Sequence, residues 1–138
     1  TIGRYQGDKP VSRMPYVFSV TGEGPGRLCR LRMGAQAPIQ SGGSVSYRDI
    51  GTNIDCSVQS VGDGHFQVFV SIEETSVYAE DMIDPSVAQK FGNLPLFRSY
   101  QSSNTVVLRS GESSRFTTAA DRISGETVVA EVTLTVLK

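Results

Sequence analysis

The chain has no tryptophan, a single histidine and only two cysteines. Each scarcity narrows what it can do. One histidine, His65, leaves a serine or cysteine nucleophile a single source of imidazole base, and it sits beside Asp63 and Gly64 at a turn, where a pre-organised base is poorly supported. Two cysteines cannot complete a structural zinc site, and His65 lies at ligand spacing from neither. No apolar run approaches the roughly 18 residues that span a bilayer as a helix. Charge is balanced too: 13 Lys and Arg against 14 Asp and Glu give a net charge of -1, so no global field steers the chain toward nucleic acid or an anionic membrane. Gly22 to Gly26 lacks the Lys-Ser/Thr and the helix that a phosphate loop needs. No cofactor is expected.

What is plentiful is alternation. From Ser44 to Ser76 two runs of alternating apolar and polar residues flank Gly62-Asp63-Gly64, the pattern of a long antiparallel hairpin. Further strands are read at Pro15–Thr21, Arg27–Gly34, Leu96–Leu108, Ser113–Ala119 and Thr127–Leu137. The last carries the cleanest inward row: Val128, Ala130, Val132, Leu134 and Val136. Ala35–Gly43 reads as a connector. Gly51, inside a long strand pattern, predicts a bulge or sharp bend. Asp84-Pro85, followed by Gly92, predicts a short helix near 85–91. The expected fold is all-β, an antiparallel sandwich or flattened barrel of about seven or eight strands. Residues 1–14 form a loosely held N-terminal segment and 15–138 a single β domain. The period-2 rows place Phe18, Val20, Leu31, Ile54, Val58, Phe66, Val68, Val70, Val107, Val132 and Leu134 in the core. Phe69 makes the second face of its strand partly apolar, which predicts cover on both sides.

Candidate site residues are few. Tyr47, Tyr78, Phe97 and Tyr100 offer aromatic faces for a sugar or peptide groove, against core packing as the alternative. Arg30 and Arg32 share an outward strand face, suited to an anion or to guarding a sheet edge. Glu73, Glu74, Glu80, Asp81 and Asp84 form an acidic group. Asp81 and Asp84 are the metal candidates within it, but no calcium-loop spacing is present, and solvated loop charge accounts for the group. Cys29 and Cys56 both fall on inward rows. Two readings stay open: separate buried thiols, or one inter-strand disulfide, which belongs to an oxidising compartment.

The stretch from Tyr47 onward resembles the C-terminal β-region of bacterial secretins, over about half the chain. The similar residues are Tyr47-Arg48-Asp49-Ile50-Gly51, the glycine turn at Gly62 to Gly64, and Val70-Ser71-Ile72-Glu73-Glu74-Thr75-Ser76. After a spacer with Pro95 come Phe97-Arg98-Ser99, Thr105-Val106-Val107-Leu108 and Gly111. The pattern departs after that last glycine, where Ser113-Ser114-Arg115-Phe116 stands in place of a Gly-Gly-hydrophobic run. The resemblance implies a periplasmic or secreted envelope domain, without catalytic residues and without pore formation carried over. The expected function is therefore non-catalytic binding or structure in the cell envelope, with an envelope protein or polymer as partner. The alternative is a carboxylate-dependent hydrolase of a surface polymer.

Overall fold

A computed structural model describes residues 1–20, 28–78, 84–90 and 94–137. The described residues form eight strands: β1 Ile2–Gln6, β2 Lys9–Met14, β3 Leu28–Ser41, β4 Ser44–Gly62, β5 His65–Val77, β6 Phe97–Arg109, β7 Ser113–Ala120 and β8 Glu126–Thr133. They form two four-stranded antiparallel sheets, β2-β1-β8-β7 and β3-β4-β5-β6, stacked as a sandwich rather than closed as a barrel. The second sheet is a simple meander. Its β4–β5 turn places Gly62, Asp63 and Gly64 at positive φ, as the sequence requires. The chain crosses to the first sheet through the turn after β6, where Glu112 N–H donates to Arg109 C=O at 3.0 Å.

The core draws Cys29, Ile54, Cys56, Val68, Val70, Ile72 and Leu108 from the second sheet, and Ile2, Val128 and Ala130 from the first. Phe18, Val20, Leu31, Val58, Val132 and Leu134 pack against it half-buried, and Phe66 is half-buried without joining it. The helix α1 covers Pro85–Lys90. Asp84 caps it, accepting from the Ser86 N–H at 2.8 Å, and Pro85 occupies the first turn, where its missing N–H costs nothing. Residue 91 lies outside the described residues.

Five expectations need correction. The first fourteen residues are not a loose leader: β1 sits inside the first sheet, pairing with β2 on one side and β8 on the other, and Ile2 is core. Pro15–Val20 keeps its alternation, with Tyr16, Phe18 and Val20 turned to the core, but makes no ladder. Ala35–Ser41 is not a connector but the continuation of β3. Val107 points out, 56% exposed, because the inward row of β6 runs through Tyr100, Ser102, Asn104, Val106 and Leu108. Phe69 and its row on β5 face solvent, so β5 is central in its sheet but covered on one face only.

Candidate binding site: a cleft and a projecting ribbon

Beyond the facing glycines Gly34 and Gly51, the β3–β4 hairpin leaves the sandwich. β4 begins pairing with β5 at Gly51↔Thr75, so among the described residues Ser44–Ile50 ladders with β3 alone and the ribbon has two strands. Gly51 makes the departure. Its φ of 149° and the Met33 carbonyl oxygen, 2.0 Å from where a Cβ would stand, both demand glycine. Pairing runs through Gly51 without a register shift, so no bulge interrupts the β3–β4 ladder there. Two-stranded hairpins are marginal alone. This one is anchored at its base by the Arg48 guanidinium, 4.6 Å from the centre of the Phe97 ring. Tyr47, on the outward side, is 66% exposed.

A cleft of about 470 Å³ opens at the ribbon's base, between the sheet edges formed by β2 and β3. Ile2, Met14, Tyr16, Met33 and Ile50 give it apolar walls. Met14 and Met33 are both about half exposed, and flexible thioether chains suit a surface that adapts to what it meets. Arg4 of β1 and Glu74 of β5 also line it and form an ion pair across the two sheets. Glu74 accepts a second hydrogen bond, 3.2 Å, from the Tyr100 hydroxyl. Burial, then the nearby Arg98, pulls the Arg4 guanidinium below its ordinary pKa. Burial raises that of Tyr100.

A second cross-sheet group surrounds Arg98 of β6. Its Nη1 donates to Glu126 Oε2 at 2.8 Å and Asp121 Oδ2 at 3.2 Å, and its Nε donates to Ser76 Oγ at 2.9 Å. Its guanidinium lies 5.1 Å from the centre of the Tyr78 ring. Burial and a hydrogen bond donated to Asp121 push Tyr78 up to about 12. Burial alone would raise Asp121. Donors from Tyr78, Ile123 N–H, Arg98 and Ser124 together outweigh it and hold the carboxyl at about 2.

The structure disperses the aromatics. Tyr78 and Tyr100 serve these buried groups, Phe97 lies under Arg48, and Tyr47 stands on the ribbon, so they line no common groove. Arg30 and Arg32 do point outward, but both are engaged by Asp55. Arg32 Nη2 donates to its two oxygens at 2.9 and 3.1 Å, and Arg30 Nε lies 3.6 Å from one of them. Such exposed pairs contribute little stability. His65 Nε2 accepts from Arg109 Nε at 2.9 Å. Asp84 is committed to Ser86, and Asp81 and Glu80 lie outside the described residues. No group of three or more metal-ligating side chains converges among the described residues. Among them, too, no helix is long and apolar enough to cross a membrane.

Cys29 and Cys56 stand directly opposite in the β3–β4 register, with Cα atoms 5.0 Å apart, and form a disulfide. Arg4, Arg98, Asp121 and Glu126 are the residues that sequence reading missed. One signal was available: Glu74 and Glu126 fall on the same parity as the apolar rows of β5 and β8. Compared with known proteins, the chain matches no family model, no curated protein and no solved structure.

Proposed function

We propose that this chain is a non-catalytic binding domain of the bacterial cell envelope, working in the periplasm or outside the cell. It engages an envelope protein or polymer through the ribbon and the cleft at its base. The observation that carries the reading is the ribbon itself. Ordering sixteen residues, Ala35 to Ile50, costs conformational entropy of roughly 1–2 kcal/mol each, and the ribbon recovers little of it by burial within this chain. Contact with a partner is where that cost is offset. The secretin-like residues Tyr47 to Gly51 form its return strand. The Cys29–Cys56 disulfide supports the location, because such bonds persist in oxidising compartments.

The hydrolase alternative has less support. Glu73 and Glu74 are neighbours on β5 and leave it on opposite faces, Glu74 is held by Arg4, and Asp84 caps a helix. The test is a pull-down from envelope extract, comparing the native chain with a Val45→Ser/Tyr47→Ser variant. A partner retained by the first and lost by the second supports the reading. Equal retention, or none from envelope and wall fractions, counts against it.

A further inference from the structure

The two sheets end in four outer strands, β2, β3, β6 and β7, and β6 differs from the other three. An edge strand offers unpaired backbone groups to other chains, and charges, prolines and bulges on it discourage such pairing. β2 carries Lys9, Pro10 and Arg13, and β3 carries Arg30, Arg32 and Pro38. β7 holds Arg115, and its ladder shifts register between Thr117 and Ala119. On β6 the stretch from Ser99 to Leu108 contains no charge and no proline, and its ladder with β5 runs without a shift. The free groups of β6 can be assigned. Arg109 turns both backbone groups away from β5: its N–H donates to Glu112 Oε2 at 2.8 Å, and its C=O accepts from Glu112 N–H at 3.0 Å. At the other end Tyr78 N–H donates to Leu96 C=O at 2.9 Å, which puts the even-numbered residues in the bonded pairs with β5. Bonded pairs alternate along an antiparallel ladder. Ser99, Gln101, Ser103, Thr105 and Val107 therefore point N–H and C=O outward, and among the described residues no group bonds them.

We propose that β6 pairs antiparallel with β6 of a second copy, across a two-fold axis at Ser103, joining two four-stranded sheets into one continuous sheet. The strand is self-complementary about that residue. On the outer face Gln101 stands opposite the partner's Thr105, and Ser99 opposite the partner's Val107, so every outward N–H and C=O of these residues finds its bond. On the inner face Tyr100 meets the partner's Val106, and Ser102 meets the partner's Asn104: apolar against apolar, hydroxyl against amide. These inner side chains are only half-buried in one copy, and a neighbouring strand covers them. Arg98 and Arg109 fall opposite the partner's Leu108 and Phe97, so no like charges face each other. The same operation on β2 about Val11 sets Lys9 against the partner's Arg13, and on β3 about Leu31 it sets Arg30 against the partner's Arg32. Charge therefore selects β6. The two-fold closes the assembly at two copies, because each uses its one unguarded edge. β6 lies across the sheet from β3, so this pairing leaves the ribbon free and stands independently of the reading above.

The test is sedimentation velocity of the full chain over a concentration series, where a reversible dimer is expected. Thr105→Pro removes an outward donor and no bond to β5, and Ser103→Lys sets two ammonium groups face to face at the axis. Each should weaken the dimer about tenfold or more, with the far-ultraviolet circular dichroism of the chain unchanged. Val45→Ser/Tyr47→Ser should dimerise as the native chain does, which separates this proposal from the ribbon. Directly opposite residues in a bonded pair have Cα atoms about 5.5 Å apart, within disulfide reach. Mild oxidation should therefore crosslink Ser103→Cys into a covalent dimer far faster than Gln67→Cys, which is exposed on the central strand β5. Three results would overturn the proposal: a monomer at every concentration, a dimer that survives both Thr105→Pro and Ser103→Lys, or crosslinking no faster for Ser103→Cys than for Gln67→Cys.

Discussion

Arg98 on β6 and Glu126 on β8 meet at 2.8 Å and tie the two sheets together through a carboxylate that is 2% exposed. Removing one partner of a buried pair leaves the other desolvated without its counter-charge, which costs about 3–5 kcal/mol. Arg98 keeps Asp121, so Glu126→Ala should fall at the lower end, about 3 kcal/mol. Glu126→Gln, which keeps the shape and one acceptor, should cost about 1–2 kcal/mol. Urea unfolding read at unchanged slope distinguishes the two. Equal and negligible losses would show that the pair is not a tie between the sheets.

The same group sets how stability responds to pH. Asp121 sits at about 2 in the folded chain, below its ordinary 3.8. A depressed carboxyl contributes stability above its unfolded value, and that contribution is lost as pH falls from about 4 toward 2. Tyr78 is raised from 10.0 to about 12. Its contribution is present below the unfolded value and lost as pH rises from about 10 toward 12. Asp121→Asn should therefore flatten the acid limb of a stability profile, and Tyr78→Phe the alkaline one. A profile whose slopes survive both substitutions would place the titrating groups elsewhere.

Gly51 and Gly42 both have positive φ but differ in surroundings. A Cβ on Gly51 would stand 2.0 Å from the Met33 carbonyl oxygen and 2.6 Å from Gly34 Cα, all backbone and unable to yield cheaply. At Gly42, φ +56°, nothing lies within 4 Å. Gly51→Ala should cost about 3 kcal/mol or more, and Gly42→Ala about 1 kcal/mol, the ordinary left-handed penalty. Chemical denaturation measures both, and equal costs would mean that the ribbon leaves the sandwich by another route.

The Cys29–Cys56 bond closes a loop with a sequence separation of 27. In the chain-entropy account, a loop of that length is worth about 3 kcal/mol through the unfolded state. Protein unfolded without reductant should show no titratable thiol, and reduction should lower the melting temperature by about 10 °C. Two free thiols would remove the disulfide's support for an oxidising compartment.

Legibility followed locality. The β4–β5 hairpin could be read because its turn glycines and both alternating runs lie within one stretch, and the helix because its cap and proline are adjacent. The N-terminal strand could not. Ile2 finds its partner at Ala130, far along the chain, and β2 has no buried position to reveal a period. The charged groups were hidden for a related reason. An arginine facing inward, such as Arg4 or Arg98, looks in sequence like any solvated side chain, and only the opposite sheet supplies the carboxylate that makes its burial tolerable.

Val106-Val107-Leu108 shows the limit at one residue's resolution. Two adjacent valines fit either parity of a strand, and inward Ser102 and Asn104, bonded to each other at 2.8 Å, disguise which row is buried. The ladder decides it. Phe66 faces Leu108 and Gln67 faces Val107, which leaves Leu108 4% and Val107 56% exposed. Leu108→Asp buries an unpaired carboxylate at a cost of several kcal/mol, a large part of a total stability of about 5–15 kcal/mol, and should leave little folded protein. Val107→Asp places the same charge in water and should change stability by about 0.5 kcal/mol or less. Far-ultraviolet circular dichroism and melting curves of the two variants read the register directly. A folded Leu108→Asp beside an unfolded Val107→Asp would shift β6 by one residue and turn its whole inward row to solvent.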